Sequence, residues 1–180
     1  MQRNDHDNRP GGSLGSLLLT VGAVLLLIIY AVGALNTGNW LWFSPVQPEY
    51  KPSRVLVRVA GQSTEYRPGD AGFDELTAAF DTAFADFSNT DFVPLGLGED
   101  TLREYNETAT VVEIYYPQDI RFNLPVRMRN VDQLLIPIEG RHAGNRYVFL
   151  GSNGRWLAGA LTMSDDMPIL DALRALGHLE

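Results

Sequence analysis

Five arginines are the residues whose type and spacing in this chain suit the capture of an anion. Arg54 and Arg58 stand in RVLVRVA, and Arg121, Arg127 and Arg129 stand in IRFNLPVRMR. Side chains an even number of positions apart on an extended segment point the same way, so Arg54 shares a face with Arg58, and Arg127 with Arg129. If the two segments are neighbours in one sheet, five guanidinium groups line one face, and their planar forks match carboxylate or phosphate. The competing expectation is a solvated face whose arginines pair with the many acids nearby.

Other chemistries have less to stand on. Ser152 lies in GSNG, which is not the G-x-S-x-G elbow and leads into another strand instead of a helix, so the strained nucleophile geometry is not expected. His142 is the one candidate base for it, but the two lie in successive turns, which fall at opposite ends of a meander. Outside the first fifteen residues the histidines are His142 and His178, neither with a ligand partner one helical turn away, and the Asp165-Asp166 pair lacks the alternation and glycine of a calcium loop. The glycines of PGDAG and LGLGED come without the Lys-Ser/Thr of a phosphate loop. With so many acids, some carboxylate pair falls at glycosidase spacing by chance, so that spacing argues nothing. Zero cysteines remove disulfides, thiolate metal sites and cysteine nucleophiles together. No cofactor and no metal are expected, and a hydrolase is the least favoured reading.

Charge narrows the partners. The chain has 14 Lys and Arg against 22 Asp and Glu, a formal net charge of −8. Since Arg3 and Arg9 balance Asp5 and Asp7 in the tail, the excess sits in the body of the protein. Such a surface gains nothing from a phosphate backbone, and nucleic acid is not an expected partner.

The elements that must hold these residues follow from hydrophobic period. RVLVRVA alternates and reads as a strand, Gly61-Gln62 suggests a turn, and STEYR reads as its hairpin partner. After Pro68-Gly69-Asp70 the period changes: Phe73, Leu76, Phe80, Phe84 and Phe87 form one helical stripe, capped by Asp70 or Asp74, and a stripe of this kind belongs to the core. Residues Glu99 to Glu107 suggest a short helix with acids in its first turn. TATVVEIYY reads as a strand stopped by Pro117, and Asn106-Glu107-Thr108 is a glycosylation sequon that matters only in a eukaryotic source. DQLLIPIEG, NRYVFLG and RWLAGAL are three strands joined by RHAG and SNG, and Asn153-Gly154 is the pair that a tight type I′ turn needs. PILDALRAL closes the chain as a helix opened by Ser164, Asp165 or Asp166 and stopped by Gly177.

SLLLTVGAVLLLIIYAVGAL, Ser16 to Leu35, holds twenty residues without a charge. At about 1.5 Å per residue this reaches about 30 Å, the hydrocarbon thickness of a bilayer. A membrane-spanning anchor is expected, with the lipid bilayer as its partner. Cleavage as a signal near Ala34 is the competing expectation, because Val32-Gly33-Ala34 supplies small residues; against it, the run exceeds the usual signal length. Arg3 and Arg9 precede the segment, while no Lys or Arg follows Leu35 until Lys51, so the positive-inside bias puts the N-terminus in the cytoplasm. Trp40, Trp42 and Phe43 suit the membrane interface, or else pack on the following domain.

The expected organisation is a cytoplasmic tail at 1–15, a transmembrane helix at 16–35, a Pro-rich linker at 36–53 and one α+β domain at 54–180. That domain has a mostly antiparallel sheet, made of an N-terminal hairpin and a C-terminal meander, with two or three helices packed on one face. The function expected is a non-catalytic, membrane-anchored extracytoplasmic domain, an accessory or sensory subunit that binds a membrane or envelope protein in the plasma membrane. The alternative is an anionic-ligand-binding domain that uses the arginine-lined face.

Overall fold

The structure, a computed structural model, describes residues 14–37, 40, 50–84, 92–120 and 130–180. The chain divides into two compact units, Met1–Ser44 and Pro45–Glu180.

The first unit contains helix α1, Leu14–Thr37. Its stretch Leu14–Leu35 is long and apolar enough to cross a membrane, and almost none of it is buried within the protein. Leucine, isoleucine and valine point outward all around it, among them Leu18, Val21, Leu26, Ile29 and Val32. At the end of the unit Tyr30 donates a hydrogen bond to the Trp40 carbonyl (2.9 Å), and their rings lie 6.2 Å apart.

The second unit is α+β, built on a six-stranded sheet in which every neighbouring pair is antiparallel. Its strands are β1 (Arg54–Val59), β2 (Gln62–Tyr66), β3 (Thr110–Ile120), β4 (Val131–Pro137), β5 (Tyr147–Ser152) and β6 (Arg155–Thr162), in the order β2-β1-β3-β4-β5-β6. Helices α2 (Ala71–Phe84), α3 (Glu99–Glu107) and α4 (Met167–Ala175) complete it. The hairpin and the meander are those expected from the alternation, and β1 joins them by pairing with β3.

Alternation sorts each strand between two faces. Val55, Val57, Val112, Ile114, Leu134, Ile136, Val148 and Leu150 point to one face, where α2 and α4 cover them with Phe73, Leu76, Phe80, Ile169 and Leu173. The opposite face carries a smaller apolar cluster of Val111, Leu135, Phe149 and Ala160, on which Tyr105 of α3 packs. The expectation of helices on one face is therefore corrected: α3 and the residues before it occupy the other. That arrangement follows from the chain's route. Beyond α2 the chain reaches the far edge of the sheet, where Val93 pairs with Ala160 of β6 (Val93 N–H to the Ala160 carbonyl 2.8 Å), and α3 carries it back to β3.

Local details correct other expectations. The first turn is centred on Ala60-Gly61, both with positive φ (46° and 81°), one residue earlier than read from the sequence. β3 does not stop at Pro117. It continues to Ile120 through a register shift after Tyr115, and β1 begins opposite Tyr115, so the missing proline N–H falls where β1 no longer needs a partner. Asp70 stands at the N-cap position of α2, where its carbonyl accepts the Phe73 N–H (3.0 Å), while its carboxylate accepts the Arg67 N–H (2.7 Å) in the turn before the helix. At α4 the Asp165 carboxylate accepts the Met167 N–H (3.0 Å), and Gly177 (φ 76°) ends the helix in a Schellman motif, with His178 N–H bonded to the Leu173 carbonyl (2.8 Å). Asn153-Gly154 adopts the positive φ pair (49° and 75°) of the type I′ turn expected there. The phenylalanine stripe of α2 is buried at Phe73 and Phe80 and half-buried at Phe84; Phe87 lies outside the described residues.

Candidate functional site

Arg54 and Arg58 share one face of β1, as their spacing requires, and it is the face opposite α2 and α4. On β3 the same face carries Glu113 and Tyr115, because Arg54 pairs with Tyr115 and Leu56 with Glu113 across the ladder. Glu65 of β2 lies opposite Leu56 on the other side. Two cations, two carboxylates and a phenol are thereby brought together by register alone.

Each arginine already has a carboxylate. Arg58 Nη2 lies 3.2 Å from Glu113 Oε1, and its Nη1 donates to Asn106 Oδ1 at the end of α3. The pair is largely dry, with side-chain exposures of 17% for Arg58 and 8% for Glu113. Tyr115 donates its hydroxyl proton to the second Glu113 oxygen. Arg54 sits over the Tyr115 ring, 3.9 Å from its centroid, and 3.7 Å from Glu65 Oε2. The order is thus Glu65, Arg54, Tyr115, Glu113, Arg58, Asn106, a chain of alternating charge across three strands and a helix. Burial raises the Tyr115 pKa above the ordinary tyrosine value, with the Glu113 hydrogen bond adding to it. Among the described residues, Arg58 Nε is the one buried side-chain nitrogen or oxygen without a hydrogen-bond partner.

Arg121, Arg127 and Arg129 lie outside the described residues. The residues that bracket them, Ile120 and Val131, pair with each other at the end of the sheet where β1 begins with Arg54. Trp42 and Phe43 also lie outside the described residues, whereas Trp40 is exposed.

Sequence reasoning missed Glu113, Tyr115, Glu65 and Asn106. A signal for Glu113 was present: it is the one charge within VVEIYY, a run otherwise apolar or aromatic, and a charge at such a position must find a partner when buried. Asn106 was read only as a sequon, and its amide is engaged with Arg58.

The histidine and serine weighed as a catalytic pair are far apart. His142 stands at the Tyr147 end of β5 and Ser152 closes its other end, about 17 Å away at the rise of a strand. His142 instead belongs to a strap that ties the β4–β5 turn to α3. The Tyr105 hydroxyl donates to the Arg141 carbonyl and lies 2.9 Å from His142 Nδ1, so the ring nitrogen donates in return. Glu104 accepts the Arg141 N–H (2.8 Å) and faces its guanidinium (3.7 Å). The imidazole rests against Phe149, 5.3 Å between centroids, and burial lowers its pKa, with Arg141 adding to the shift. Among the described residues no three or more His, Asp or Glu side chains gather as a metal site would need. An open groove of about 290 Å³ runs between the segment entering β1 and α2, lined by Tyr50, Lys51, Phe73, Thr77 and Asp81 among others.

Comparison of the chain with known protein families, with curated proteins and with solved structures found no match.

Proposed function

We propose that the chain is a membrane-anchored interaction protein: α1 crosses the plasma membrane with its N-terminus in the cytoplasm, and the α+β unit stands outside as an accessory or sensory subunit of a membrane or envelope protein complex. The observation that carries this reading is the surface of α1. Its leucines, isoleucines and valines face outward on every side and find no core within the protein, and an apolar helix of that length is at home in lipid. The flanking charges support the orientation, since Arg3 and Arg9 precede the helix and no Lys or Arg follows Leu35 until Lys51. An interaction role fits a polar face whose Arg54 and Arg58 already hold Glu65 and Glu113, leaving these two guanidinium groups committed to the fold.

The test has two parts. Alkaline extraction of membranes that hold the full chain, with a reporter fused at the C-terminus, should leave the protein in the pellet and the reporter outside the cytosol. Intact mass of the recovered chain should include residues 1–35. A mass beginning near Ala34 would identify a cleaved signal instead, and a cytosolic reporter would overturn the orientation. Crosslinking in the intact membrane should then recover the domain with a partner protein.

A further inference from the structure

The two edges of the sheet are treated differently. On the β6 side, Val93 exchanges hydrogen bonds with Ala160 and the Leu95 carbonyl accepts the Gly159 N–H (3.0 Å), so the chain covers that edge with its own backbone. The β2 edge has no such cover among the described residues, and Gln62, Ser63, Thr64 and Glu65 are exposed. QSTEY is short and carries one charge, Glu65, but contains no proline and no lysine and keeps an unbroken register against β1.

Register identifies which backbone groups are open. The tight turn at Ala60-Gly61 makes Val59 and Gln62 a hydrogen-bonded pair, so Gln62, Thr64 and Tyr66 bond to β1 while Ser63 and Glu65 direct their N–H and C=O outward. Arg67, next in that parity, is already used: its N–H bonds the Asp70 carboxylate and its carbonyl accepts the Asp70 N–H (2.9 Å). The open stretch is therefore Ser63 to Glu65, centred on Thr64.

We infer that this edge pairs with the same edge of a second copy of the chain, antiparallel about a two-fold axis at Thr64, to give one continuous sheet. In one register the strand is complementary to itself, which suits a second copy as the occupant, and charge selects that register. With Thr64 on the axis, Ser63 of each copy faces Glu65 of the other and all four outward groups of each strand are satisfied. Centring on Glu65 would oppose two carboxylates and call on Arg67 groups already bonded, and centring on Ser63 would leave Glu65 facing the turn. In the chosen register each Glu65 meets a serine hydroxyl, and Thr64 meets Thr64, a favourable cross-strand pair. Three residues a side make a small contact. The inference rests on the anchor proposed above for its strength, since two copies confined to one membrane meet at a high effective concentration.

The absence of cysteine from the chain makes the test direct. Thr64→Cys introduces a single thiol, and in this register the two Cα atoms form a non-hydrogen-bonded pair about 4.5 Å apart, within disulfide range. Ser63→Cys is the control. Two such residues are offset by two positions, about 7 Å along the strands, which with the spacing between strands puts their Cα atoms about 8–9 Å apart, beyond the roughly 7 Å that a disulfide spans. Each full-length variant, in lipid vesicles, is oxidised with copper phenanthroline and run on a non-reducing gel. Thr64→Cys should give about tenfold more reducible homodimer than Ser63→Cys. Adding Ser63→Pro to Thr64→Cys, which removes an outward N–H but no backbone bond to β1 and no ion pair, should abolish that dimer while circular dichroism shows the fold kept. Equal dimer from both cysteine variants, a dimer that survives Ser63→Pro, or a Thr64→Cys chain that stays monomeric overturns the pairing. Alkaline extraction of the same vesicles reports the anchor separately: a pelleted monomer sinks the pairing alone, and an extracted dimer sinks the anchor alone.

Discussion

Replacing Arg58 with methionine keeps the apolar stem that lies on the sheet and removes the charge. It strands Glu113, which is 6% exposed and would be left with the Tyr115 hydroxyl as its one remaining partner on that face. Breaking a buried pair from one side costs about 3–5 kcal/mol, because the surviving charge stays desolvated without its counter-ion. Arg58 retains 17% exposure, so water reaches one end of the pair and the lower part of that range applies, about 3 kcal/mol. For a domain of about 130 residues that is a fall of about 10 °C in Tm. The diagnostic is the second step. Arg58→Met combined with Glu113→Gln removes the lone charge yet keeps an oxygen for Tyr115, and should recover at least about half of the loss. Urea melts of the four full-length proteins in the same detergent, followed by far-ultraviolet circular dichroism, complete the double-mutant cycle. A coupling below about 0.5 kcal/mol would show that the two residues act independently, and the account of this face would then be wrong.

Gly151 lies opposite Gln133 across the β4–β5 ladder, and a Cβ placed on it would meet Gln133 Cγ and Nε2 at 2.4 Å, so Gly151→Ala should destabilise by about 1–3 kcal/mol. Gln133→Ala in the same chain should remove that clash, so a double variant no more stable than Gly151→Ala alone, read from melts, would count against it. Burial, first among the causes at each, raises the pKa of Tyr66, Tyr105, Tyr115 and Tyr116 from an ordinary 10.0, so the folded state holds phenol protons that the unfolded chain releases. That stabilisation is complete below pH 10 and is lost as pH rises further. Phenolate absorbance should therefore rise together with loss of structure above pH 10, and full ionisation with the circular dichroism unchanged would refute the burial of these rings.

The parts of the fold legible in the sequence were those set by local period. β1, the β5–β6 hairpin, the Phe73–Phe80 stripe and α4 each announce themselves within a dozen residues, because alternation and turn chemistry act at that range. What stayed hidden is what register decides. Nothing local says that β1 lies against β3, yet that pairing alone brings Arg58 beside Glu113 and Arg54 over Tyr115. The arginine pair was legible as a face; that its counter-charges arrive from β2 and β3 was not. Pro117 misled for the same reason, since a proline ends a strand only where a neighbour needs its N–H.

The unequal covering of the two sheet faces ties the polar network to the open edge. α3 has nine residues, about 13 Å of helix, while six strands span about 24 Å, so the helix and the residues before it can dry only part of their face. That part is the meander, where Val111, Leu135, Phe149 and Ala160 are apolar. The β1 and β2 end is left to side chains that tolerate water, and there the alternating charges of Glu65, Arg54, Glu113 and Arg58 hold the hairpin where a second helix would otherwise be needed. Among the described residues β2 pairs with β1 alone in the sheet, so the position of its free edge depends on β1, and β1 is fastened on this face to Glu113 and, through Asn106, to the end of α3. Gly61 sits at the same junction, where an added Cβ would come within 3.2 Å of the Glu107 carbonyl. The pairing proposed above requires the strand to hold its register before a second copy arrives, and these contacts supply that rigidity at the edge left uncovered among the described residues.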